Sequence, residues 1–206
     1  VCILLGYPMA YFLARERGRL RSMANMLIML PMWMNFLLRT YSWVFLLERN
    51  GFFNSLLSAI GLPKLDIINT SGAVVLGMVY NFLPFMVLPI YSVIIKLDHS
   101  LVEAARDLGA SSAGVFRRVT LPLSLPGVLS GVTMVFVPSV STFAISRMMG
   151  GNNQMLLGNL IEQQFLGGAY NPHLGSAIAL VMMIIVVACM WIMNRFGEGE
   201  EQAVIL

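Results

Sequence analysis

KLDHSLVEAARDLGASSAGVFRRVTLP, residues 96–122, is a charged and polar stretch set between two long apolar runs. Its local chemistry predicts two short helices joined at a glycine. Ser100-x-x-Glu103 reads as a capping box, each side chain answering a free N–H at a helix start. Leu101, Ala105 and Leu108 follow at i, i+4 and i+7, which gives one apolar face. Gly109 suits the left-handed position that ends a helix. Ser111 or Ser112 can cap a second helix, with Val115, Phe116 and Val119 on its apolar side, and Pro122 marks the turn into the next apolar run. A rigid amphipathic insert of this kind presents a face that needs a partner.

The surroundings of this insert set the fold class. The chain has 206 residues, 58% hydrophobic and 11% charged, whereas soluble domains carry about 25% charge. No Asp, Glu, Lys or Arg occurs in 1–14, 22–38, 67–95, 123–146 or 163–194. A helix needs about 20 apolar residues to cross a bilayer. The reading is an all-α membrane protein with five transmembrane helices, at about 1–14 (partial), 23–47, 71–95, 123–147 and 173–194. It forms a single transmembrane domain, 1–206, with its polar loop at 96–122. The chain opens with Val1 inside an apolar run, so a helix cut at its N-terminal end is expected.

Charge placement gives orientation. Arg15, Arg17, Arg19 and Arg21 crowd the first loop, and Lys96, Arg106, Arg117 and Arg118 lie in the third. The second loop has Arg49 and Lys64 countered by Glu48 and Asp66, and the fourth, about 148–172, has neither Lys nor Arg. Positive residues favour the cytoplasmic side. Loops one and three are therefore expected in the cytoplasm, together with the C-terminus. No basic stripe is interleaved with aromatics, which excludes a nucleic-acid-binding reading. Cys2 and Cys189 lie in apolar segments and read as small buried hydrophobes; no Cys/His spacing fits a metal site.

In the second loop, Phe52, Phe53, Leu56, Leu57 and Ile60 recur at helical spacing and stop at Gly61-Leu62-Pro63. A short amphipathic helix at the outer surface is expected there. Segment 148–172 is expected to cap the bundle or dip into the membrane. Pro31, Pro84, Pro89, Pro126 and Pro138 fall within the apolar segments and can kink helices. Together they favour a transport bundle over a simple anchor.

Glu103-Ala104-Ala105, three residues, Gly109, nine residues, Val119-x-Leu121-Pro122 resembles the EAA signature of ABC importer permeases, Glu-Ala-Ala-x3-Gly-x9-Ile-x-Leu-Pro, with Val in place of Ile. Two further stretches, PMWMNFLLRTYSW at 31–43 and MGGNNQMLLGNLIEQQF at 149–165, are similar to the B-type permease of spermidine/putrescine importers. The resemblance covers nearly the whole chain. It implies a type I importer transmembrane domain of six spans in the bacterial inner membrane, the first family span being absent here. It also implies a related second permease as heterodimer partner, two ATPase subunits that hold ATP and Mg, and an external solute-binding protein. This chain would need no cofactor of its own. No Walker motif is present, so no enzymatic role is expected.

By the same resemblance, the loop is the coupling helix that docks on the ATPase, through Glu103, Ala104, Ala105, Asp107, Gly109, Phe116, Leu121 and Pro122. ATP closes the ATPase dimer, draws the coupling helices together and opens the bundle outward; hydrolysis resets it. A polyamine path wants carboxylates, carbonyls and aromatic faces. The candidates are Glu162, the sole acid between Asp107 and the C-terminal tail, with Asp66, Tyr41, Trp43, Tyr80 and Phe143. Arg39 lies inside a predicted span, where it snorkels outward or holds helices together through carbonyls or an acid. Relatives in that subfamily carry an acid near Gly150-Gly151, but Ser139–Met149 has none. The alternatives are a permease of the same class for another small solute, an anion or metal chelate, and a secondary transporter or channel.

Overall fold

The computed structural model describes residues 1–151, 155–168 and 170–201, and among these it is helical throughout. In chain order the helices are α1 (Cys2–Arg15), α2 (Arg19–Trp33), α3 (Phe36–Leu47), α4 (Phe52–Ala59), α5 (Ser71–Ile94), α6 (His99–Asp107), α7 (Ser112–Val115), a π-helical turn (Phe116–Thr120), α8 (Leu121–Leu123), α9 (Leu125–Ser141), α10 (Ala144–Met149), α11 (Leu157–Leu166) and α12 (Pro172–Glu201). Two compact units emerge. The first comprises 1–28, 83–136 and 187–206; the second comprises 29–82 and 137–186.

The first unit has its core at Tyr7, Ala10, Met86, Val87 and Ile90, where α1 meets the second half of α5. Glycines set how closely helices approach there. A Cβ on Gly127 would lie 3.0 Å from the Pro89 carbonyl, and one on Gly131 would lie 3.1 Å from that of Met86. With little hydrophobic drive inside a membrane, such close backbone contact is a main source of helix cohesion. Tyr7 donates a hydrogen bond to Ser124 at 2.7 Å, and Ser124 donates to the Leu121 carbonyl at 2.9 Å, so the buried hydroxyls are satisfied.

The second unit buries Leu47, Ala73, Val74, Phe82, Ile145 and Met149 together with an unusual set of polar side chains: Thr40, Asn54, Asn81, Ser146, Asn159 and Gln164. Asn54 shows how they are used. Its amide donates to the Glu48 and Leu65 carbonyls at 3.2 and 2.9 Å and accepts from the Leu65 N–H at 2.8 Å. That one side chain folds the loop around α4. The expected short helix is therefore present as α4, and Gly61 closes it at φ +80°.

The five apolar segments differ in continuity. Among the described residues, Ser71–Ile94 and Pro172–Met193 are single helices long and apolar enough to cross a membrane. Ser112–Leu123 and Leu125–Ser141 can make a third crossing as a pair bent by 58°. Segment 1–14 is the 14-residue α1. The expected continuous helix at 23–47 is broken instead. Pro31 weakens the end of α2, Met34 N–H turns back to the Pro31 carbonyl at 3.3 Å, and Asn35 caps α3 by accepting from Leu37 and Leu38. Segment 123–147 likewise divides at Thr142–Phe143 into α9 and α10. Pro126 sits in the first turn of α9, where it costs no hydrogen bond. Segment 148–172 contains α11; its residues 152–154 and 169 lie outside the described residues.

Candidate functional site

The loop folds as helix, glycine, helix, with one change in its capping. Asp98, not Ser100, is the N-cap of α6; its carboxylate accepts from the Ser100 N–H at 2.9 Å. Asp98 lies two residues nearer the preceding turn and is as good a cap as serine, so the helix begins earlier and the Ser100–Glu103 capping box does not form. Glu103 is instead a solvent-facing residue of the second turn. At the other end, the Gly109 N–H bonds the Arg106 carbonyl at 2.8 Å and the Ala110 N–H bonds that of Ala105 at 3.1 Å, with Gly109 at φ +81°. This is a Schellman closure, which a residue with a Cβ resists. Ser111 then caps α7 by accepting from the Gly114 N–H at 3.2 Å.

These local bonds leave the apolar face of α6 uncovered. Leu108 is 89% exposed, and Leu101 and Leu121 are also exposed. Ala104, Asp107 and Pro122 are exposed too, and Ala105 is half-buried. Phe116 behaves differently. Its ring makes edge contacts with Tyr7 and Tyr11 at 5.8 and 5.1 Å, and Arg15 lies over Tyr11 at 4.3 Å. Phe116 is thus the anchor that seats the loop on α1; edge-to-face pairs of this kind contribute about 0.5–1.5 kcal/mol each. Helical geometry continues through Pro122 to Leu123, and the sharp turn falls at Ser124, beyond the position expected from sequence.

The structure separates the remaining candidates. Trp43 stacks on Phe53 at 6.4 Å and meets Tyr80 edge-on at 5.2 Å, while Arg39 lies over the Tyr80 ring at 5.8 Å. Arg39 is 6% exposed and donates to the Pro31 carbonyl, stapling the last turn of α2 to α3 across the Met34–Asn35 break. Of the two readings of Arg39, holding helices through a carbonyl is the one observed. Tyr41 and the Phe143 ring are exposed. Asp66 pairs with Arg49 at 3.7 Å on the open surface, where such pairs contribute little. Glu162 pairs with Arg147. Beside that pair, Ser146 and Asn159 are buried and hydrogen-bonded to each other, and the Asn159 amide donates to the Phe143 carbonyl at 3.3 Å.

Sequence reasoning overlooked Asp98, although its residue type two positions before Ser100 was a readable signal. It also overlooked Tyr7, Tyr11, Ser146 and Asn159. Each is an ordinary helix residue until the fold brings its partner, up to 117 positions away, into contact.

A family model described as "Binding-protein-dependent transport system inner membrane component" matches residues 3–198. The chain belongs to this family. Among curated relatives, the spermidine/putrescine transport system permease protein PotB of Haemophilus influenzae is 38% identical over 200 residues, 96% of this chain and 70% of that protein. PotB of Escherichia coli K12 is 41% identical over 186 residues, 89% of this chain and 67% of that protein. A crystal structure of a bacterial alginate ABC transporter, in complex with an alginate pentasaccharide-bound periplasmic protein, contains a chain of the same fold. The TM-score is 0.72 at 17% identity, covering 94% of this chain and 72% of that one. This inner-membrane transport component thus has the type I ABC importer permease fold expected from its sequence.

Proposed function

We propose that this permease forms the translocation path of an ATP-driven importer for polyamines of the spermidine/putrescine class. A homologous second permease, two ATPase subunits and an external solute-binding protein complete the assembly. The loop at 96–122 is its contact with the ATPase, and that loop and the C-terminus lie in the cytoplasm. One observation carries the coupling part of this reading: a capped helix holds Leu108 out to solvent at 89% exposure, with Leu101 about half exposed on the same face. Apolar side chains held in the open by rigid backbone mark a protein contact. The polyamine assignment draws its support from the identity with PotB over nearly the whole chain.

The test is reconstitution of the full importer in proteoliposomes. Spermidine delivered by the cognate binding protein is expected to stimulate ATP hydrolysis and to accumulate inside. Stimulation by an anion or metal chelate and not by polyamines would move the substrate while keeping the class. Uptake without any ATPase would overturn the class itself. Leu108→Ser is expected to lower ATP-coupled uptake several-fold with no change in the melting temperature of the solubilised permease, because Leu108 touches almost nothing in this chain.

A further inference from the structure

The groups best suited to recognise an organic cation are already occupied by the protein's own guanidinium groups. Arg39 lies over Tyr80, and Arg147 pairs with Glu162. The two arginines differ in one respect. Arg39 is 6% exposed and also tied to the Pro31 carbonyl, so it cannot leave. The Arg147 side chain is 68% exposed, whereas that of Glu162 is 11% exposed. An exposed guanidinium thus covers a carboxylate that is largely shielded from solvent.

The placement of Glu162 has a structural cause. It lies on α11 one turn beyond Gly158 and Asn159, on the same face. Gly158 sits so close to the end of α9 that an added Cβ would lie 2.7 Å from the Ser141 carbonyl. Asn159 is bonded to Ser146 and to the Phe143 carbonyl. This frame fixes the stretch of α11 that carries Glu162, while the carboxylate itself meets Arg147. A largely buried carboxylate is costly without a counter-ion, so when Arg147 swings away another cation must replace it. The exchange replaces one cation by another on the same carboxylate, so its net cost is the difference between the two pairings and not the loss of either.

We infer that Glu162 is a polyamine-ammonium subsite and that Arg147 is its tethered stand-in, displaced when substrate passes and returning to expel it. This rests on the polyamine reading above. The arrangement answers a general difficulty of a transport path: a bare acid in a half-buried setting would trap a polycation, while no acid would not attract one. An internal competitor keeps the subsite charged-balanced at rest and shortens the residence of the cargo.

The experiment compares spermidine uptake against concentration for the reconstituted importer with wild-type permease, Arg147→Met, Arg147→Gln, Glu162→Gln and the Arg147→Met/Glu162→Gln double variant. Removing the competitor is expected to lower KM about two- to five-fold, the range of a weak ion pair, and to lower the maximal rate as release slows. Glu162→Gln is expected to raise KM, and the double variant to match Glu162→Gln. A raised KM in both Arg147 variants, failure of both to assemble, or recovery of wild-type KM in the double variant would make the pair a structural clamp and overturn the inference. If the wild-type importer takes up no polyamine, it is the substrate reading that fails, a result distinct from any of these.

Discussion

The polar loop at 98–124 and the segment at 142–166 are both built of short helices, yet they spend their polar groups in opposite ways. In the loop, Asp98, Ser111 and the turn at Gly109 satisfy the backbone locally, and apolar side chains such as Leu108 are left outside. In the segment at 142–166, Ser146 and Asn159 turn inward and bond α10 to α11, and the exposed charge of Arg147 remains outside. A self-capped helix with bare leucines is built to meet another protein. A segment cross-tied by buried polar groups is built to hold a fixed frame.

Gly109→Val attacks the first half of that contrast most severely. An added Cβ meets nothing within 4 Å, so space is not the obstacle. The obstacle is φ +81°, which costs about 1–2 kcal/mol for an ordinary L-residue and more for a β-branched one. Membrane insertion should be intact and ATP-driven uptake in vesicles lost, while Gly109→Asn, which tolerates this conformation, should retain most of it. Normal uptake by the valine variant would break the view that loop geometry matters.

Asn159→Ala tests the second half. It removes the amide that ties α11 to Ser146 and to the Phe143 carbonyl, at about 0.5–1.5 kcal/mol for each hydrogen bond lost, since Ser146 keeps its own bond to the Phe143 carbonyl. A clear fall in the thermal stability of the detergent-solubilised permease is expected. A smaller effect is expected from Tyr7→Phe, which removes the donor to Ser124 at the foot of the loop but leaves Ser124 bonded to Leu121; about 1 kcal/mol is reasonable. If Tyr7→Phe proved costlier than Asn159→Ala, the loop would be the more rigidly framed region and the comparison would be inverted. Arg49→Ala closes the series. Its pair with Asp66 is exposed on both sides, so stability should change by less than about 0.5 kcal/mol, a baseline for the others.

The comparison also explains what could be read in advance. The loop was legible because its determinants are local: an N-cap type, a glycine in the left-handed position and a second cap act within five residues of their partners. Its misplacements were equally local: Asp98 took the helix start from Ser100, two residues on, and the turn expected at Pro122 fell two residues later at Ser124. The segment at 142–166 was not legible in the same way. Glu162 stood out as an isolated acid, but Arg147 lies 15 positions away and its pairing depends on α10 packing beside α11.

Sequence by itself determined the class of molecule. The apolar runs, the sparse charge and the spacing from Glu103 to Pro122 depend on composition and short-range order, which the fold does not alter. Only the tertiary structure decided which charges are usable. It placed Arg39 in the interior, tied to a carbonyl, and Arg147 on the surface over a buried carboxylate. The physical reason is that the cost of a charge depends on its solvent exposure and its partner, and neither is a property of the residue alone.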